Sequence, residues 1–155
     1  MGIPIKSKST IRDVVFGKNV NIIEPVNIYG CEIGDNCFVG PFVEIQKNVI
    51  IGANSKIQSH SFVCELVSIG SNCFIGHGVM FINDTFNRGG PAGGEKKYWK
   101  KTMIGNNVSI GSNATILPVK ICNDVIIGAG SVVTKNINKS GIYVGNPAKF
   151  LKSVN

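Results

Sequence analysis

Apolar residues recur along this chain at every sixth position. The markers are Phe16, Ile22, Ile28, Ile33, Val39, Ile45, Ile51, Ile57, Val63, Ile69, Ile75 and Phe81, and then Ile104, Ile110, Ile116, Ile121, Ile127 and Val133. Two steps within these runs are five residues long, Ile28 to Ile33 and Ile116 to Ile121. A period of six does not fit a helix, which turns every ~3.6 residues, but it is a multiple of the strand period of about two. Each unit therefore predicts a short strand followed by a turn.

Two further columns support this. Four residues after most markers stands a small residue: Val20, Val26, Cys37, Val43, Val49, Ser55, Ser61, Val67, Cys73, Val79, Val108, Ala114, Val125 and Ser131. In the two short steps Cys31 and Val119 take that place one residue early. Three residues after many markers stands Asn, Asp or Gly: Asn19, Asn36, Asn48, Asn54, Asn72, Gly78, Asn107, Asn113, Asp124 and Gly130. These types accept left-handed backbone. One such strand cannot bury its face alone, whereas stacked units share a continuous core, so the pattern predicts a β-solenoid.

Composition narrows the class. The chain has 155 residues, 16% charged, which suits one ordered domain and argues against disorder. No apolar run approaches the ~20 residues of a membrane span. The start, "MGIPIKSKST", lacks the apolar stretch of a secretory signal, which gives the expectation of a soluble cytoplasmic protein. The five cysteines form no CxxC pair and no zinc spacing, so no metal site is expected. Cys31, Cys37 and Cys73 read instead as small core residues. The net charge of +7 favours an anionic ligand. Aromatic residues do not interleave with the lysines and no nucleic-acid motif is present, so phosphorylated small molecules fit better than nucleic acid.

With this repeat the chain resembles the hexapeptide-repeat acyltransferases. The resemblance implies an all-β fold, a left-handed parallel β-helix in which three hexads complete a coil of 18 residues. Eighteen hexads would make about six coils. The left hand comes from the resemblance, because the ordinary rule for parallel crossovers favours the right. One domain over 1–155 is expected, with a loop insertion at 84–102 and a C-terminal segment at 136–155.

The repeat stops after Phe81 and resumes at Ile104. Between them lies "NRGGPAGGEKKYWKK". A long irregular segment inside a regular fold is usually functional or mobile. Tyr98 and Trp99 give it packing surface, and Lys96, Lys97, Lys100 and Lys101 give it positive charge. With coils of 18 residues, Glu65 and Asn83 fall on adjacent coils at one corner, roughly 4.8 Å apart. Asp84 follows Asn83, and His77 stands one side of the triangle earlier. The spacing thus gathers two carboxylates, an amide and an imidazole near the root of the loop. Each has a plainer role open to it: Glu65 as a solvated corner, Asp84 as a turn cap, His77 as a turn residue in "GHG".

"CFIGHGVMFINDTFNR", the loop with its Trp, "SIGSNATIL", "IIGAGSVVTK" and "VGNPAK", in this order, resemble one branch of that family. The branch acetylates an amino group, notably at C3, on dTDP- or UDP-linked sugars made for surface polysaccharides. The sequence departs from the family in "ILPVKIC", where a glycine usually follows the proline and another follows the next isoleucine. That shortens one coil by a residue. The resemblance implies acetyl-CoA as cosubstrate and no metal. Ser112, Ala129, Thr134 and Lys135 would contact its pantetheine arm and adenine region, and Lys149 and Lys152 its phosphates. It also implies a homotrimer with sites between subunits. Asn83 is the candidate for holding the sugar, because an amide both donates and accepts. His77 or the departing CoA sulfur would take the proton; Asp84 or Glu65 would need a raised pKa to do so, or would serve only to orient the amine. The alternative is an O-acetyltransferase acting on a sugar or serine hydroxyl, which would need a stronger base.

Overall fold

The computed structural model describes residues 3–5 and 10–154. Every marker from Phe16 to Val133 lies in a short strand, most of only two residues, and the strands distribute in rotation over three parallel faces. One face has seven strands, the second six and the third eight. The seven-stranded face runs through Ile11–Arg12, Asn27–Tyr29, Glu44–Ile45, Phe62–Val63, Met80–Phe81, Thr115–Ile116 and Val132–Val133. The fold is a parallel β-solenoid of about seven turns. That is one more than the hexads from Phe16 onward suggest, because Ile11–Arg12 pairs with Ile28 and Tyr29 ahead of the first marker.

Pairing is in register, so each column of markers becomes a column of core side chains. On the first face Ile28 pairs with Ile45, Ile45 with Val63, Phe81 with Ile116 and Ile116 with Val133. These residues are at most 1% exposed. The small residues at the fourth position fill the corners between columns; Val43, Val49, Val79, Val108, Ala114 and Val125 are all buried. Ser55 and Ser61 occupy the same place by satisfying their hydroxyls. Ser55 Oγ donates to the Gly70 carbonyl at 2.9 Å and accepts from Cys73 N–H at 3.0 Å. Cys31, Cys37 and Cys73 are buried core residues, and so is Cys64, whose thiol burial pushes up to about 12.

All ten Asn, Asp and Gly residues of the turn column adopt positive φ, from 55° at Asn19 to 67° at Gly130. At the corner between the second and third faces their side chains form a ladder. Asn19 donates to Asn36, Asn36 to Asn54, Asn54 to Asn72 and Asn72 to Asn107, at 3.2–3.3 Å, and Asn107 donates to Asp124 at 2.9 Å. Each rung joins a residue to the one above it, so the corner is cross-linked along the solenoid axis.

The five-residue step at Ile116 costs no register. Lys120–Ile121 still pairs with Met103 and Ile104. At the far end Gly141–Val144 extends the third face, and Lys149–Lys152 folds back antiparallel on it. This last strand covers an edge that would otherwise present unpaired backbone.

Candidate functional site

The register fixes where the insertion sits. Met80 and Phe81 pair with Thr115 and Ile116, and Ser68 and Ile69 pair with Met103 and Ile104. The chain leaves the solenoid at the corner between the first and second faces and rejoins it on the next turn. The segment between Phe81 and Thr102 is an excursion from that corner.

Asp84 shapes its root. Oδ1 accepts from Phe86 N–H at 2.9 Å and Oδ2 from Ala92 N–H at 2.7 Å. Both carboxylate oxygens therefore serve as caps for backbone donors, the turn role open to Asp84 in sequence. Lys100 N–H donates to the Asn83 carbonyl at 2.9 Å and closes the two ends of the excursion. The far limb makes a 3-10 turn, Lys96–Tyr98, with no side-chain cap and no buried residue. Arg88 and Lys97 both pair with Glu95, and both lie over the Tyr98 ring, at 4.7 and 5.0 Å. The loop is thus held by its own charges, by the two Asp84 caps and by the Lys100–Asn83 tie.

The expectation that Glu65 and Asn83 stack is met directly. Asn83 Nδ2 donates to the Glu65 carbonyl at 3.2 Å. Glu65 is 7% exposed, not a solvated corner. Its carboxylate receives Lys96 Nζ at 2.9 Å on Oε2 and 3.2 Å on Oε1. This hydrogen bond raises the Lys96 pKa above its ordinary value of 10.5. Glu65 N–H is held by Gln46 Oε1 at 3.2 Å, Gln46 donates to Glu44 at 2.9 Å, and Asn27 donates to Glu44 at 3.1 Å. A polar chain thus runs along the outside of the first face and ends at Glu65. Burial, then Glu44 and Glu65, raises the pKa of the adjoining Tyr29.

Sequence reasoning missed Lys47, although the same spacing finds it. Eighteen residues before Glu65 is Lys47, as Glu65 is eighteen before Asn83. The neighbouring Lys96 lowers the Lys47 pKa. Gln46, Glu44 and Tyr29 carried no signal that marked them as partners of the site. Thr85 Oγ1, at the loop root, is buried with no hydrogen-bond partner among the described residues.

His77 does not gather with these groups within one chain. It stands at the corner between the third and first faces, exposed, and the strand Met80–Phe81 separates it from Asn83. Its carbonyl accepts from Asn113 N–H at 2.8 Å, and the Ser112 carbonyl accepts from Gly130 N–H at 2.9 Å. The register Ile75–Ile110–Ile127 puts His77, Ser112 and Ala129 at one place on three successive turns. Thr134 and Lys135 lie at the other corner. The register Phe81–Ile116–Val133 puts Lys135 at the place of Asn83, two turns on. Lys149 and Lys152 are exposed on the final strand, opposite Val144 and Ile142. The expected cofactor residues therefore border the first face on both sides, and two lie at the outer edge of the third.

A family profile described as "Bacterial transferase hexapeptide (six repeats)" matches residues 30–65, and one described as "Hexapeptide repeat of succinyl-transferase" matches residues 66–80 and 101–135. The chain belongs to the hexapeptide-repeat transferases. The segment that neither profile covers between 80 and 101 is the excursion itself. Among curated relatives, the bifunctional protein GlmU of Wigglesworthia glossinidia brevipalpis is 38% identical over 144 residues, which is 92% of this chain and 29% of that protein. The chain thus spans between 24% and 30% of the length of these curated relatives. A hexapeptide transferase family protein from Anaplasma phagocytophilum has the same fold, with a TM-score of 0.73 at 20% identity over 94% of this chain and 83% of that one. So has a hexapeptide-repeat acetyltransferase from Vibrio cholerae O1 biovar eltor, solved with acetyl coenzyme A, with a TM-score of 0.67 at 22% identity over 81% of this chain and 72% of that one. Among the described residues no helix of this hexapeptide-repeat protein is long and apolar enough to cross a membrane.

Proposed function

We propose that this protein transfers an acetyl group from acetyl-CoA to the amino group of a nucleotide-linked amino sugar. The observation that carries this reading is the root of the insertion. The main-chain carbonyl of Glu65 receives the Asn83 amide, and the buried Glu65 carboxylate already holds a primary ammonium, that of Lys96. Such a site suits an amine far better than a hydroxyl, because a buried carboxylate needs a cationic partner.

For the donor, membership of the hexapeptide-repeat transferases and the fold shared with a Vibrio cholerae acetyltransferase solved with acetyl coenzyme A both support acetyl-CoA. The thioester would lie along the first face. Ser112 and Ala129 would flank the pantetheine arm from one corner, and Thr134 and Lys135 would approach from the other. Lys149 and Lys152 would meet phosphate as point charges. No resident metal enters this scheme.

The bound ammonium first loses one proton to solvent; the uncharged amine then attacks the thioester carbonyl, a tetrahedral oxyanion forms, the C–S bond breaks, the nitrogen gives up its second proton and CoA leaves as the thiol. Asn83 would aim the amine, which is most of the catalytic work in a reaction of two bound partners. His77 stands on the same column as Ser112 and Ala129, beside the proposed track of the pantetheine arm. It serves as base only if a neighbouring subunit brings Asn83 to it. A homotrimer with sites between subunits does that, and the outward Phe62, Met80 and Val132 of the first face supply apolar surface for such contact. The departing thiolate is the alternative acceptor for the proton.

The test is a thiol-release assay with acetyl-CoA against dTDP- and UDP-linked 3-amino and 4-amino sugars, with galactoside and serine as controls. Turnover on one nucleotide amino sugar is expected. Turnover confined to the hydroxyl acceptors would overturn the amine reading.

A further inference from the structure

The Lys96–Glu65 contact joins two parts of the molecule that differ in how firmly they are held. Glu65 belongs to the solenoid corner. Its side chain is 9% exposed, its N–H is fixed by Gln46, and its carbonyl is fixed by Asn83. Lys96 belongs to the excursion. Its side chain is 50% exposed, and it comes from a single 3-10 turn that buries nothing. Both carboxylate oxygens bind the one Nζ, at 2.9 and 3.2 Å. Asn83 Nδ2 is engaged, while its Oδ1 has no partner among the described residues. The Glu65 carboxylate thus holds an ammonium, and Asn83 is tied to the main chain of that same residue. A second lysine, Lys47, stands one turn below, and the neighbouring Lys96 lowers its pKa.

We propose that the Glu65 carboxylate is a primary-ammonium site that the chain's own Lys96 fills, and that the acceptor enters by replacing the Lys96 ammonium with its own. This rests on reading the acceptor as an amine. The exchange swaps one ammonium for another, so the buried carboxylate is never left unpaired, an arrangement that burial makes costly. A hydroxyl acceptor cannot make the exchange, because it would strand the carboxylate. Selection of amine over hydroxyl therefore precedes the chemistry. Lys96 also lies over the Trp99 ring at 5.6 Å, so its release changes the surroundings of the indole while the Lys100–Asn83 tie still holds the end of the loop.

The test uses the full chain labelled with nitrogen-15 as wild type, K96M and K96M/E65Q, with K96Q as a second loop variant. The probe is methylammonium chloride, with sodium chloride at matched ionic strength as the control. The Asn83 side-chain amide and the indole N–H of Trp99, the one tryptophan in the sequence, report the site. K96M should show saturable shifts with methylammonium and none with sodium. The wild type should need roughly tenfold more, since a tethered competitor acts at millimolar effective concentration. K96M/E65Q should show no saturation. Equal responses in K96M and K96M/E65Q, or in wild type and K96M, would overturn the proposal. A separate arm reads the thiol-release assay, where K96M should lower KM for the amino-sugar acceptor and leave KM for acetyl-CoA unchanged. A raised acceptor KM would make Lys96 a holder of substrate and sink the exchange. Failure of every amine as acceptor would refute the proposed function alone, because the methylammonium arm needs no turnover.

Discussion

The side-chain amide of Asn83 donates to the main-chain carbonyl of Glu65 at 3.2 Å, across one turn of the solenoid and eighteen residues of sequence. The contact fixes the Asn83 side chain on the scaffold and not on the loop that follows it. Glu65 is held in turn by Gln46 below and by Lys96 from the excursion.

Asn83→Ala should lower kcat/KM for the amino-sugar acceptor by about 10²–10³, the usual loss when one preorganised polar group at a reacting centre is removed. Glu65→Ala should cost less, roughly tenfold and mostly in KM, because it weakens ammonium binding and leaves the aiming amide in place. Steady-state kinetics on the two variants check the order. If both are harmless, the site lies elsewhere.

Asp84→Ala should loosen the excursion without unfolding the solenoid. It removes two charge-assisted hydrogen bonds to backbone donors, each worth about 1.5–3 kcal/mol. Limited trypsin digestion should then cut at Arg88 and at the lysines from 96 to 101 at least about tenfold faster, since ~1.4 kcal/mol is one decade of opening. An unchanged cleavage rate would mean that other contacts hold the loop root.

Asn54 sits at φ 59° in the middle of the asparagine ladder, accepting from Asn36 and donating to Asn72. Asn54→Ala should lose the ladder bonds and add the left-handed backbone cost of about 1–2 kcal/mol. Asn54→Gly should lose the ladder bonds alone, because glycine accepts that φ freely. Urea unfolding should therefore rank wild type above N54G, and N54G above N54A. Equal stability of the two variants would mean that the backbone conformation carries no cost there.

The Lys96–Glu65 contact has a defined pH range. The Lys96 pKa is raised in the folded state, so the contact contributes fully below the ordinary value of 10.5 and is lost as pH rises through the higher folded value. Trp99 emission should change in wild type above pH 10.5, in excess of any change in K96M. Identical titrations of the two proteins would show that Lys96 is not the group responsible.

Much of this was legible in the sequence, because a solenoid translates spacing into position almost without loss. Asn, Asp and Gly at the third place of each unit marked the left-handed turns, and all ten residues adopt positive φ. Cys31, Cys37 and Cys73 were readable as core because small residues recur at the fourth place. The pairing of Asn83 with Glu65 followed from counting one coil, and one more step would have found Lys47. Counting fails where the chain leaves the lattice. It could not assign both oxygens of Asp84 to Phe86 and Ala92, nor bring Lys96 back onto Glu65, because an irregular segment folds by its own local bonds.

The sequence by itself determined the scaffold: short strands, turn residues that accept left-handed backbone, a core of stacked columns and the point of interruption. A repeat whose units bury the same face in the same register admits little else. Only the tertiary structure decided which charge meets which across the insertion, since that depends on the path of twenty residues free of the repeat. It gave the buried Glu65 its ammonium from Lys96, and with it the reason to expect an amine.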